Sequence, residues 1–240
     1  MKDISPKVNI VFHKDFIPEQ YLPCFVSRTI EMFLDNIQGL AERFIYGNDD
    51  MYPVGAMRPE DFFVGNKPCQ HHDEVYYEDA TYVNDIFKRS CFNELNMIAS
   101  DFGKKFTTTY LLGGHSLSPI LRKTCKAVWK THEKDILENI SVVRTDHSMN
   151  HYIYPFYQHL SGKYVDHVPR SKYVSMWEGM KDILAAIADR NLQVVCVNDD
   201  EVANTVWQTC AMKVRNALEQ RLTIEQEENE GRGTEAESTE

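Results

Sequence analysis

The chain has 240 residues, 42% hydrophobic and 11% aromatic, enough to bury a sizeable core as one domain or one domain with lobes. Its formal charge of -10 is uneven, because the run from Thr223, TIEQEENEGRGTEAESTE, holds seven Glu against one Arg and carries -6 of it. What remains is a mildly acidic body with no basic stripe, which excludes nucleic acid as a partner, and no apolar run reaches the length of a transmembrane segment.

The six cysteines at 24, 69, 91, 125, 196 and 210 form no C-x-x-C pair, which predicts reduced thiols rather than a disulfide framework or a zinc site. No period of 20 to 50 residues recurs, so a repeat fold is excluded. The tail from 223 to 240 is polar and nearly free of large apolar residues, and is predicted to be disordered.

In chain order, the β-branched run VNIVF at 8 to 12 predicts a short strand. Ser27 is placed to cap a helix carrying Ile30, Phe33, Leu34 and Ile37 on one face, with Gly39 as its stop. FIY at 44 to 46 predicts a buried strand that runs into Asn48, Asp49 and Asp50. Residues 52 to 80 mix Pro, Gly, acids and aromatics and predict a long functional loop. Helical spacing returns at Val83, Ile86, Phe87, Leu95 and Ile98.

In GGHSLSPILRKTCKAVWKTH, Ser118 predicts an N-cap and Pro119 the first helical position, with Ile120, Leu121, Cys125, Val128 and Trp129 as the apolar stripe. His115 would then lie on a Gly-Gly loop just ahead of a helix N-terminus. The aromatic stripe from Met149 to Leu160 contains Pro155, so that helix either kinks, at a cost of about 3 kcal/mol for a true interior proline, or starts late. Ser175 and Glu178 predict a capping box for a helix bearing Trp177, Met180, Ile183, Leu184 and Ile187. VVCV at 194 to 197 predicts a buried strand ending in a second Asn-Asp-Asp, followed by a last helix with Val202, Val206, Cys210, Val214 and Leu218 inward. Helices alternating with short apolar strands predict an α/β domain over residues 1 to 222.

Ligands of open α/β sheets bind beyond the carboxyl ends of strands, where both Asn-Asp-Asp triplets stand. Adjacent carboxylates repel each other, and a hard divalent cation offsets that while holding a phosphate; the same residues also make ordinary turns and caps. A turn or metal role therefore stays open for Asp49 and Asp50, while a helix directly after Asp199 and Asp200 favours capping there. His115 has the chemistry of a general base, and Arg144 that of a phosphate clamp or a partner of Asp146. His71, His72 and Asp73 read as a solvated turn, and the aromatic stripe at 152 to 157 as core.

The run HKDFIPEQYLPCFVSRTIEMFLDNIQGLAERFIYGNDDMYPVGAMRPEDFF resembles the second region of Stealth proteins, the sugar-1-phosphate transferases of bacterial capsule and exopolysaccharide synthesis, relatives of the animal N-acetylglucosamine-1-phosphotransferase. GGHSLSPILRK through ISVVRTDHSMNHYIYPFYQHLSG resembles their third region and VVCVNDDE their fourth. The first region, a strand with a Trp-Val-x-Gly motif, has no counterpart, and Val26 stands where the family has Asn or Ser.

The resemblance implies a Rossmann-like nucleotide-sugar transferase core lacking its N-terminal strand region, with helical additions. It implies transfer of a hexose-1-phosphate from a nucleoside diphosphate sugar to a glycan hydroxyl, on the cytosolic side of polysaccharide assembly. It assigns metal and phosphate work to Asp49 and Asp50 with Mg²⁺ or Mn²⁺, catalysis to His115 and Arg144 alongside them, and substrate contacts to Asn48, Ser27, Arg28 and Asn150. Two other expectations stand beside it: a glycosyltransferase with a paired-Asp metal site, and a truncated, catalytically silent polysaccharide-assembly protein.

Overall fold

The structure is a computed structural model that describes residues 5–76, 86–141, 143, 145, 147, 149–176, 179–199 and 204–237, with the backbone alone at 204, 205 and 225–237. In chain order its elements are α1 (Ser27–Met32), β1 (Arg43–Tyr46), β2 (Met51–Pro53), β3 (Phe63–Val64), β4 (Lys67–Gln70), β5 (His72–Tyr76), α2 (Ile86–Ala99), β6 (Thr109–Gly113), β7 (Ser118–Leu121), α3 (Arg122–Asn139), α4 (Ile153–Leu160), β8 (Val165–Asp166), β9 (Ser171–Ser175), α5 (Met180–Ala188), β10 (Val194–Asn198) and α6 (Asn204–Glu237). This is a mixed α/β chain, as the alternation predicts. It divides into two compact units, one of Met1–Phe44, His72–Gly113 and Pro119–Tyr164, the other of Ile45–His71, Gly114–Ser118 and Val165–Glu240.

In the first unit α2, α3 and α4 pack together beside the antiparallel pair β5 and β6, in which Val75 faces Tyr110. Leu95, Ile98, Cys125, Val128, Ile153 and Phe156 are fully buried and form core, while Ile86 of the stripe predicted on α2 is exposed and Val83 lies outside the described residues. Pro155 sits in the first turn of α4, where a missing N–H costs nothing, which resolves the kink in favour of a late start. Several predicted features differ. The FIY strand forms within Arg43–Tyr46 but is not buried, with Ile45 exposed and Phe44 and Tyr46 half-buried. Val8, Ile10 and Phe12 are exposed and form no strand; the run has β-propensity but no ladder partner among the described residues. The helix after Ser27 is cut to six residues, with Val26 rather than Ser27 at its N-cap and a 3₁₀ turn at Leu34–Asn36 completing the expected face. The segment Ser118–Leu121 is a strand with every residue buried, and α3 begins only at Arg122. Pro119 there marks an extended segment, not a helix start. His72, read as part of a turn, lies in β5 with its ring edge-on to Phe156 and His159.

A polar knot is buried in this unit. Arg28 donates to Ser90 Oγ and to the Thr145 carbonyl at 3.4 Å, the His151 N–H donates to Glu31 Oε2 at 2.8 Å, and the Asn150 N–H donates to Glu94 Oε1 at 2.7 Å. Burial pushes the Glu94 carboxyl well above the usual range, against the opposing pull of the Asn150 N–H and the Arg28 charge. A carboxyl raised on folding contributes stability below its unfolded value and loses it as pH rises through the folded value. Glu94→Gln keeps an acceptor for the Asn150 N–H and cannot ionise, so it should raise the thermal midpoint over wild type by an amount that grows with pH. An advantage that is constant or shrinks with pH in calorimetry would contradict this.

In the second unit β10 is the centre of a three-stranded sheet, parallel to β9 and antiparallel to β2. The fully buried VVCV strand is as predicted. Side chains alternate across it: Val195 and Val197 join Val54, Val174, Ile183, Ile187 and Val214 in one cluster under α5 and α6, while Cys196, and likewise Tyr173 beside Val174, point to the other face. Arg221 of α6 is buried and donates from Nε to the Val54 carbonyl at 2.9 Å, fixing that helix to the end of β2.

Where a single loop was predicted from 52 to 80, β2 and the short ladder of β3, β4 and β8 form in this unit. Strands of two to four residues are too short to leave a period in sequence. His71 pairs with Asp166 at 2.7 Å. The expected capping box at Ser175 falls partly outside the described residues, since Glu178 and Trp177 are not among them; Ser175 itself ends β9, and α5 starts after Gly179 at φ +110°. Beyond Thr223, where the composition predicts disorder, the backbone continues α6 to Glu237. Among the described residues no helix is long and apolar enough to cross a membrane.

Candidate active site

The Asn-Asp-Asp turn enters β2 beside the carboxyl end of β10, because β2 runs antiparallel to it. The Met51 N–H bonds back to the Asn48 carbonyl at 3.2 Å, closing the turn, and the Val197 N–H donates to the Asp50 carbonyl at 2.9 Å. Asn48 is held by Tyr46, whose hydroxyl donates to Asn48 Oδ1 at 2.6 Å. Asp50 thereby overlies Cys196 on the face away from the core cluster. The Cys196 thiol, fully buried, donates to Asp50 Oδ2 at 3.2 Å.

His115 reaches the same oxygen from the Gly114–Ser118 loop, with Nε2 3.5 Å from Asp50 Oδ2, and its ring meets Tyr173 edge-on at 5.5 Å. The Tyr173 hydroxyl accepts from Asn198 Nδ2 at 2.6 Å. Asp50, His115 and Cys196 are the cluster of metal-capable side chains found among the described residues, their donor atoms within 4.8 Å of one another. Among the described residues Asp50 Oδ1 is buried with no hydrogen-bond partner.

Burial raises the Asp50 carboxyl, but the hydrogen bonds from His115 and Cys196 and the charge of His115 outweigh it and hold the group below its ordinary value. The Cys196 thiol is driven far up by burial, by its bond to Asp50 and by that carboxylate's charge, so it stays a protonated donor. Burial, then the charges of Asp49, Asp50 and Asp199, push the Tyr52 phenol up. These carboxylates concentrate negative charge at one end of the sheet.

Asp50 and His115 thus come together as sequence reasoning requires, although His115 precedes a strand and not a helix. Asp49 lies on the same turn but is exposed and outside the three-residue cluster. Asp199 accepts from Trp207 Nε1 at 3.0 Å, and Asp200 lies outside the described residues. Arg144 does as well. Arg28 and Asn150 are buried in the polar knot of the first unit, and Ser27 is exposed at the first position of α1. Sequence reasoning missed Cys196 and Tyr173. Period-2 alternation in VVCVN puts Cys196 on the face of Asn198, but only the pairing of β10 with β2 shows that Asp50 is on that face too.

One glycine lies against the His115 loop. A Cβ on Gly47 would lie 2.6 Å from Leu117 Cδ2, and Leu117 is two residues from His115. Because Cδ2 is the far end of a flexible side chain, Gly47→Ala should be absorbed by a rotation of Leu117 and lower turnover by less than about tenfold, the larger losses needing a reacting group to move by about 1 Å. A loss of about a hundredfold in steady-state kinetics would show instead that the loop moves and carries His115 with it.

Residues 1–71 match the family model described as Stealth protein CR2, conserved region 2. The chain is 27% identical over 223 residues to the receptor polysaccharide phosphotransferase WefC of Streptococcus oralis, covering 81% of this chain and 67% of that protein. It is 25% identical over 223 residues to the capsular polysaccharide phosphotransferase WcwK of Streptococcus pneumoniae, covering 82% and 67%. A 63-residue stretch is 48% identical to the capsular polysaccharide phosphotransferase CpsJ of Streptococcus thermophilus, 26% of each chain.

Proposed function

From the premise that this chain carries Stealth conserved region 2 and is similar to bacterial polysaccharide phosphotransferases, we propose that it transfers a hexose-1-phosphate from a nucleoside diphosphate sugar to a hydroxyl of a glycan in capsular or exopolysaccharide synthesis. The observation that carries the reading is the contact of His115 with Asp50 at the carboxyl ends of β9 and β10. The unit β9–α5–β10, two parallel strands joined through a helix, is the building block of a Rossmann-like core, and ligands of such sheets bind at this end.

Asp50 Oδ2 stands 3.5 Å from His115 Nε2, a placement that favours the proton on Nε2 and leaves Nδ1 to take a second one. The acceptor oxygen forms a bond to the β-phosphorus, the bond from that phosphorus to the bridging oxygen breaks, and the nucleoside monophosphate leaves. The acceptor proton ends on His115. The imidazolium so formed faces an ionised Asp50, which stabilises it. Magnesium or manganese fits this chain on one observation: Asp50 Oδ1 is buried with no hydrogen-bond partner among the described residues, the state of a carboxylate oxygen left for a cation, and Asp49 shares its turn. When bound there, such an ion supplies charge neutralisation on the phosphates. Asn48, on the same turn as Asp50, is assigned to the donor phosphates and sugar; for Arg144, Ser27, Arg28 and Asn150 the substrate role is only the one the resemblance implies.

The experiment is to incubate the chain and Mg²⁺ or Mn²⁺ with a panel of nucleoside diphosphate sugars and a polysaccharide acceptor, and to identify the nucleotide released. Nucleoside monophosphate is the expected product. Nucleoside diphosphate alone would mean transfer of the sugar without its phosphate and would end this reading.

A further inference from the structure

We propose that Asp50, His115 and Cys196 form a three-ligand site for a thiophilic divalent cation of the zinc class, and that occupancy of this site switches the transferase off. Binding stands on geometry alone; inhibition rests on the function proposed above.

Tetrahedral zinc holds nitrogen and oxygen ligands at about 2.0–2.2 Å and sulfur at about 2.3 Å, so its ligand atoms stand roughly 3.3–3.6 Å apart. Here Asp50 Oδ2 is 3.5 Å from His115 Nε2 and 3.2 Å from Cys196 Sγ, and the three donor atoms all lie within 4.8 Å of one another. The ligand spacing is nearly met without moving a backbone atom, since Cys196 is set by β10, Asp50 by the turn that bonds to Val197, and His115 by the loop packed on Gly47. Three protein ligands and a fourth position left to water is the coordination of an accessible zinc site, and His115 and Asp50 are both part exposed here.

Donor chemistry separates this ion from magnesium. A hard cation takes oxygen ligands and is served by the other carboxylate oxygen, Oδ1. A zinc-class ion gains from the imidazole and the thiolate, and affinity for such mixed sets rises steeply from manganese to zinc. Binding replaces the thiol proton, which is released to solvent, and breaks the Cys196–Asp50 hydrogen bond in favour of two metal bonds. It also occupies His115 Nε2 and Asp50 Oδ2, so the base loses its orienting partner.

Cobalt(II) is the probe, titrated into the full chain stripped of metal and kept reduced. One equivalent should produce a sulfur-to-cobalt charge-transfer band and the intense visible bands of tetrahedral cobalt, both abolished by one equivalent of zinc. Cys196→Ser should lose the charge-transfer band. His115→Ala, a change on a half-buried loop that leaves the strands intact, should weaken cobalt binding by about tenfold or more. In wild type, micromolar zinc should stop turnover in the presence of millimolar magnesium. A chain that shows the band but turns over no nucleotide sugar would support the metal site while sinking the transferase reading. A charge-transfer band that is missing in wild type, or that survives in Cys196→Ser, or cobalt affinity unchanged in His115→Ala, would overturn the site.

Discussion

His115→Ala should abolish detectable transfer, lowering turnover by roughly 10²- to 10⁴-fold, the range supplied by a positioned general base, while leaving affinity for the nucleotide sugar unchanged. The asymmetry follows from placement. His115 touches Asp50 and Tyr173 and sits at the rim of the sheet, part exposed, so its removal opens no core cavity. The donor's phosphates are assigned to the carboxylate turn and its cation. The variant also changes Asp50, which loses both a hydrogen bond and a neighbouring charge that hold its carboxyl low; with burial left less opposed, its value rises. Donor binding in the variant should therefore fall off on acidification at a higher pH than in wild type, while above that range the two affinities agree. Pre-steady-state turnover and calorimetric donor binding check the two halves separately, and full turnover in the variant would remove His115 from the chemistry.

Legibility in the sequence followed the length and burial of each element. VVCV was readable because four buried β-branched or small residues in a row have few other uses, and α2, α3 and α4 because their stripes span several turns. The strands of residues 51 to 76 are too short to show a period and are stabilised by non-local pairing, so they read as a loop. SPIL misled for a physical reason: Pro favours the first turn of a helix and an edge or extended segment alike, and burial of all four residues, which decides between them, is tertiary information. In the site, chemistry flagged Asp50 and His115, which lie far apart in sequence, while their contact and the approach of Cys196 depend on strand register. Asp49 and Asp50 looked equivalent as neighbours; successive residues on a turn leading into a strand face different ways, and only one can face Cys196.

That distinction yields the second large effect. Asp50→Asn should reduce turnover by roughly 10²- to 10³-fold, the scale of losing a preorganised electrostatic group, whereas Asp49→Asn should cost about tenfold or less, as an exposed carboxylate acting through a screened charge. Asn is nearly isosteric with Asp, so Val197 keeps its bond to the backbone carbonyl of residue 50 and the turn keeps its closure. What disappears is the full negative charge against which His115 becomes protonated, together with the buried oxygen available to a cation. The loss should therefore appear in both kcat and donor affinity for Asp50→Asn, in contrast to His115→Ala, and raising Mg²⁺ should recover part of the affinity but not the turnover. The measurement is kcat and KM for both Asn variants over a magnesium titration, with thermal melts to confirm folding. If Asp49→Asn is as damaging as Asp50→Asn, the cation is held jointly by the two carboxylates, and the assignment of the orienting role to Asp50 alone fails.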